Sequence, residues 1–415
     1  MQTSQKTTKR KILIIAPRHY IEELKAHYRN SKFEIAYYVE EKITNDNFDN
    51  FLRKIEPNYQ GFVGLADYSS LVAAWLNKRQ GNPCPEPNLI ATLQDKYLSR
   101  QLQNKLGLYT NSIRKLSDIK SIDSNDFPLF VKPRRSSMSW MANQANNIQE
   151  LDESINPENQ EKLSVVNKRW ADLYNQLKLP DSYTKSLNDF VIEPLIPYGL
   201  QVTLDGYVQN GFVDFFGFTK SVFQENHISF KRFDFPFHFS KKLDKNIRKH
   251  AEKIVVKSGF DNSLFNIEYK VDEETGRFTL IEVNTRPSSQ FMYPIEIVTG
   301  VNPLDFALDI VANNTISHQP LKTGHKMCSV CVLRRNSDGE VMKIPSQSEM
   351  SWLKNRFNSD RWKSFALKGE CLSQHPNDSY TFRFAEVVVP HRDTVLVHDY
   401  EEYVERKMNS LFRFR

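Results

Sequence analysis

Apolar residues along this chain are spaced in two alternating ways. The opening run KILIIAP (Lys11 to Pro17) is a short, continuously apolar stretch suited to a strand buried on both faces. IEELKAHYRN behind it has helical spacing, and FEIAYYVEE and YQGFVGLAD supply a second and third strand, a βαβ pattern. GNPCPEPN is a loop, and LIATLQDKYLSRQLQNKLGL carries helical periodicity ending at Gly107, so a first boundary falls in this region. FPLFVKP reads as a short strand, and the polar segment from Asn143 to Asn188 contains the helical piece VVNKRWADLYNQLKL. From Phe190 strands dominate: FVIEPLI, QVTLDGYV and FVDFFGFTKSVF, then a helix around KNIRKHAEKIVVKSG and the hairpin LFNIEYKVDEETGRFTLIEVN. VTGVNPLDFALDIVANN is helix-like. The remaining chain holds the β-rich runs MCSVCVLRR, SYTFRFAEVVV and TVLVHDY and a final charged helix, EEYVERKMNSLF.

Composition narrows the picture. The 415 residues are 40% hydrophobic and 26% charged, an ordinary globular balance with room for two or three domains. The 56 basic against 50 acidic side chains leave +6 without long basic runs, so no nucleic-acid footprint stands out. The polar start MQTSQKTTKR reads as a disordered tail, and no run is long enough to span a membrane, which points to a cytoplasmic protein. Four scattered cysteines do not make a disulfide framework, and the spacing of Cys328 and Cys331 in a strand points them to opposite faces. The first βα turn, APRHY, lacks the glycines of a dinucleotide fingerprint, and no P-loop motif occurs.

The densest chemical signal lies in NIEYKVDEETGRFTLIEVNTRP. A period of two puts Glu282 and Asn284 on one face, and a hairpin centred near Thr275 brings Glu268 opposite Glu282. Two carboxylates facing each other call for a cation, and with the Asn284 amide they offer hard oxygen ligands suited to Mg²⁺ or Mn²⁺ carrying nucleotide phosphates. Arg286, two residues on, suits a phosphate or an oxyanion. Taken alone, the motif reads more readily as a hydrated sheet face than as a metal site. Lys132 ends an apolar strand before the loop RRSSMS, whose Ser136 and Ser137 suit a phosphate cover. Glu193 and the backbone of Leu195 sit at a strand end where an adenine edge can be read, and Lys96 lies on a helix. Singly, each of these is an ordinary strand end or solvated charge.

In this order the elements resemble the ATP-grasp superfamily over roughly residues 10 to 320, the motifs being Asp95-Lys96, Val131-Lys132-Pro133, Glu193 to Ile196, Glu268, and Glu282-Val283-Asn284-Thr285-Arg286. The resemblance implies a mixed α/β and α+β fold: a tail (1–10), a Rossmann-like pre-ATP-grasp domain (11–95), a two-lobed ATP-grasp domain (96–320) and a small β-rich C-terminal domain (321–415). It implies that Lys96 and Lys132 contact ATP phosphates, Glu193 and Leu195 hold adenine, and Glu268, Glu282 and Asn284 bind Mg²⁺ or Mn²⁺. Arg286 is then expected to steady the phosphoryl group and the acyl phosphate. Two positions differ from the family pattern: Arg134 to Trp140 contains no glycine, and Gln201 stands where a ribose-binding glutamate is usual. The expected activity is a ligase joining a small-molecule carboxylate to an amine, with a homodimer left open. The rival readings are a carboxylase like biotin carboxylase, a kinase and a non-catalytic nucleotide-binding protein.

Overall fold

The computed structural model describes residues 9–108, 113–137, 139–185, 187–196, 199–375, 377–378, 380–392 and 397–415. Most of the N-terminal tail, and residues 394–396 of TVLVHDY, lie outside them. Strand β1 (Lys11–Ala16), helix α1 (Arg18–His27), strand β2 (Glu34–Val39), helix α2 (Phe48–Ile55), strand β3 (Phe62–Gly64) and helix α3 (Asp67–Gln80) open the chain. The strands form a parallel sheet in the order β2-β1-β3. Ile12, Ile14 and Ala16 pack toward one apolar cluster and Leu13 and Ile15 toward another, which is why the run is apolar throughout.

The long helical stretch expected after residue 88 is two helices, α4 (Pro87–Gln94) and α5 (Lys96–Lys105). Asp95 breaks it: its backbone is extended and its side chain accepts the Leu98 N–H, capping α5, so the periodicity survives while the axis changes. A small four-stranded antiparallel sheet follows, built from β4 (Arg114–Lys115), β5 (Leu129–Pro133), β6 (Asn143–Ala145) and β7 (Phe190–Pro194), in the order β4-β7-β5-β6. Helices α6 (Ile148–Ser154) and α7 (Pro157–Gln176) belong to this lobe.

The large lobe contains β8 (Leu200–Gln209), β9 (Phe212–Phe223), β10 (Phe230–Phe237), α8 (Lys241–Ser258), β11 (Ser263–Val271), β12 (Phe278–Asn284), α9 (Met292–Thr299) and α10 (Pro303–Val311). Then come β13 (Met327–Arg335), β14 (Val341–Lys343), α11 (Ser351–Phe357), β15 (Trp362–Ser364), β16 (Phe382–His391), α12 (Val397–Leu411) and β17 (Arg413–Phe414). β10, whose phenylalanines do not alternate cleanly, has no counterpart among the expected strands. It matters because it joins the two halves of one eight-stranded sheet, β12-β11-β8-β9-β10-β13-β16-β15. Val397 to Tyr400 begin helix α12 and are not strand. Cys328 and Cys331 enter different apolar clusters on the two faces of β13.

One face of the large sheet is apolar where α8 covers it, through Val202, Leu204, Ile267, Tyr269 and Val283 among others. Alternation turns their neighbours Gln201, Thr203, Asp205, Asn266, Glu268, Glu282 and Asn284 to the other face. That polar face carries the site.

Candidate active site

The antiparallel register of β11 and β12 pairs Glu268 with Glu282 and Asn266 with Asn284. Burial, and then the Glu282 charge, push the Glu268 carboxyl up to about 7. Asn284 donates its amide N–H to Asn266 Oδ1 at 2.8 Å and to Glu268 Oε1 at 3.3 Å, which leaves its own oxygen for another partner. Among the described residues no three His, Cys, Asp or Glu side chains converge as a metal-binding group. Two carboxylates and one amide oxygen are therefore an open set of hard donors, the kind that suits Mg²⁺ when phosphate oxygens complete the shell.

Lys96 sits at the first position of α5, donates to the Ser136 carbonyl at 2.7 Å and lies 3.4 Å from Glu282 Oε1. It thus ties the loop after β5 to the carboxylate pair. That loop is held without glycine. Arg134 pairs with Asp95 at 2.8 Å, its carbonyl accepts the Lys96 N–H at 2.9 Å, and Ser139 and Met141 take left-handed backbone angles, at a cost of about 1–2 kcal/mol each. The Ser137 carbonyl accepts the Trp140 N–H.

Lys132, Glu193 and Arg100 form a buried ionic triad, with Glu193 2.8 Å from Lys132 and 2.7 Å from Arg100. Burial opposes ionisation of Glu193, but the two cations outweigh it and hold the carboxyl far below its ordinary range. Arg100 also donates to the Ile281 carbonyl at 2.5 Å, linking the triad to β12. Two expectations change here. The Leu195 N–H is bonded to the Pro128 carbonyl at 3.1 Å, so it is committed within the small lobe. Gln201 donates to Glu268 Oε2 at 2.9 Å, which turns its amide nitrogen to the carboxylate pair.

Arg286 lies beyond the end of β12, and its Nε donates to Asp67 Oδ1 at 2.7 Å, at the first residue of α3. Burial disfavours the Asp67 anion, yet Arg286, followed by Arg135, holds its carboxyl below the usual range. Gln94 gathers the parts: its amide nitrogen donates to the Asp67 carbonyl, Ser70 Oγ and Thr285 Oγ1, and its oxygen accepts from Arg135. Asp67, Gln94, Arg100 and Arg135 are the site residues that sequence reasoning missed. Asp205, further along the polar face, is pushed up to about 8 by burial.

Residues 125–294 match the family model described as the ATP-grasp domain. No curated protein sequence matches the chain. Among solved structures it is similar to the L-amino acid ligase from Bacillus licheniformis, with TM-score 0.69 and 15% identity over 99% of each chain. It is also similar to the biotin carboxylase domain of the Hydrogenobacter thermophilus 2-oxoglutarate carboxylase in complex with MgADP, ADP and bicarbonate. That match has TM-score 0.63 and 13% identity over 99% of this chain and 91% of that one. A third is the carboxyaminoimidazole ribonucleotide synthase from Aspergillus clavatus complexed with ATP, at TM-score 0.61 and 11% identity over 97% and 98%. The fold is the ATP-grasp fold, and the chain carries an ATP-grasp domain. No helix among the described residues is long and apolar enough to cross a membrane.

Proposed function

We propose that the protein is an Mg²⁺-ATP-dependent ligase that activates a small-molecule carboxylate as an acyl phosphate and couples it to an amine. The observation that carries this reading is the opposed pair Glu268 and Glu282, with Lys96 and Arg286 both close enough to act on the Glu268 charge. A repulsive carboxylate pair on a buried face, bordered by cations, suits a divalent ion and the phosphates it carries.

In this reading Glu268, Glu282 and Asn284 hold Mg²⁺ or Mn²⁺, which when bound neutralises phosphate charge. Lys96 and Lys132 contact the phosphates, under a loop that includes Ser136 and Ser137. Glu193, ionised by its two cations, accepts from the adenine amino group, and Leu195 offers its carbonyl because its N–H is already used. Gln201 keeps its amide oxygen to accept a ribose hydroxyl. A carboxylate oxygen of the acid attacks the γ-phosphorus as the bond to the β-phosphate oxygen breaks, releasing ADP. The amine nitrogen then attacks the acyl carbon, inorganic phosphate leaves, and the nitrogen loses a proton to give the amide. Arg286 steadies the negative charge that builds in both steps. The compartment we propose is the cytoplasm, in keeping with four cysteines that are all unpaired.

The test is ADP formation from Mg²⁺-ATP across a panel of acid and amine pairs. Turnover that requires both an acid and an amine supports the reading. ATP binding without turnover on any pair favours a non-catalytic nucleotide-binding protein.

A further inference from the structure

Arg135 is the second residue beyond β5 and is only 6% exposed, yet two of its nitrogens, Nε and Nη1, have no partner. Its third nitrogen, Nη2, donates to Gln94 Oε1. The guanidinium carbon lies 3.4 Å from the centroid of the Trp170 ring and 5.4 Å from that of Tyr174, so the fork is fixed by stacking and by one hydrogen bond. No carboxylate among the described residues forms an ion pair with it, whereas Lys96, Lys132, Arg134 and Arg286 each have one. A buried arginine with idle, preorganised donors is a costly arrangement for a protein to keep without a ligand.

The surroundings say what kind of ligand. On either side of Arg135, the backbone carbonyls of Arg134 and Ser136 serve Lys96, which belongs to the nucleotide side of the site. The Arg135 side chain instead reaches Gln94, and through it Asp67 and Thr285, beside Arg286. Asp67 already balances Arg286, so the positive charge of Arg135 is the one left to an incoming anion.

Resting on the ligase reading above, we propose that Arg135 is the binding residue for the carboxylate of the acyl substrate. It takes an oxygen of that carboxylate on one of its idle N–H groups, at Nε or at Nη1, beside the Trp170 ring and on the Gln94 side that leads to Arg286. Its place on Gln94, away from the two carbonyls that serve Lys96, suits the acid rather than the nucleotide phosphates. Arg135 therefore governs affinity for the acid, while Arg286 governs the rate once the acid is bound.

Trp170 makes a built-in reporter. Wild type, Arg135→Lys, Arg135→Ala and Trp170→Phe are titrated with sodium acetate in the presence of Mg²⁺ and a non-hydrolysable ATP analogue. Tryptophan emission is read, with sodium chloride at matched ionic strength as the control. Acetate should change the wild-type signal saturably, the Trp170→Phe variant should lose the change, and Arg135→Lys should shift the midpoint about tenfold or more, since lysine keeps the charge but not the fork. Affinity for the ATP analogue should be the same in wild type and Arg135→Lys. A parallel titration with inorganic phosphate separates the sources: phosphate that saturates the signal and competes with the nucleotide would make Arg135 a phosphate residue and overturn the proposal. So would an acetate response that is absent in wild type or equal in Arg135→Lys. If Arg135→Ala does not fold, Arg135→Lys and Trp170→Phe still decide. Because the readout is binding, it can succeed even if no acid and amine pair supports turnover, the outcome that sinks the ligase reading instead.

Discussion

Glu268 and Glu282 face each other across β11 and β12, and the pair is the electrostatic centre of the site. With the Glu268 carboxyl pushed up to about 7 by burial and by Glu282, the metal-free protein holds a proton there in mildly acidic solution. Mg²⁺ must displace it. Apparent Mg²⁺ affinity should therefore rise with pH, by up to about tenfold per unit below pH ~7, and level off above it. Calorimetry in two buffers of different ionisation enthalpy should detect a released proton near pH ~6.5, and Glu282→Gln should move the pH dependence to lower pH without abolishing it, since burial is the larger cause, while weakening binding. Affinity in the wild type that does not vary with pH would remove Glu268 from the metal site.

The triad of Lys132, Glu193 and Arg100 makes two separable predictions. Lys132→Met leaves Glu193 buried with one cation fewer, and should lower unfolding stability by about 1–3 kcal/mol while weakening ATP binding. Adding Glu193→Gln to Lys132→Met should lower the stability further, because buried Arg100 then loses its Glu193 carboxylate, and should not restore nucleotide affinity. Denaturant unfolding and ATP calorimetry on the single and double variants check this. Full ATP affinity in Lys132→Met would make the lysine structural only.

Asp205 is buried on β8, with its Oδ2 unpartnered, and burial pushes its carboxyl up to about 8. The folded state thus holds a proton that the unfolded chain releases at its ordinary carboxylate pKa. The stability it confers is full below that lower value and is lost as pH rises through about 8, with a slope of at most about 1.4 kcal/mol per unit. Asp205→Asn should flatten this part of the stability profile of the nucleotide-free protein. A wild-type profile with no decline between about pH 5 and pH 8 beyond that of Asp205→Asn would show that Asp205 is ionised when buried.

Features that were legible in sequence are those whose partners lie in one hairpin or one short motif. Glu268 and Glu282 are brought together by a single turn, so counting from Thr275 suffices, and Lys96 follows its own cap. The missed residues act across the chain: Arg286 meets Asp67 over 219 positions, and Arg100 meets Glu193 over 93. Nothing in the local pattern around Gln94 distinguishes a hub from a polar helix residue until α3, the loop after β5 and the end of β12 close around it. The glycine-free loop was visible as a departure. How it is held, by Arg134 on Asp95, depends on a contact between two segments. β10 does not read as a strand because its phenylalanines mix faces, and without it the continuity of the large sheet is not legible.

Arg286 is where charge transfer and nucleotide binding can be separated. ATP affinity by calorimetry and carboxylate-dependent ADP formation are measured side by side for wild type, Arg286→Ala and Arg286→Lys, with far-UV circular dichroism to verify folding, since Asp67 loses its partner. If Arg286 steadies charge that exists only during transfer, the alanine variant should bind Mg²⁺-ATP nearly as wild type does and form ADP about 10²–10³-fold more slowly. A folded Arg286→Ala that turns over as fast as a working wild type would contradict that role. A wild type that binds Mg²⁺-ATP but forms no ADP with any acid and amine would contradict the ligase itself.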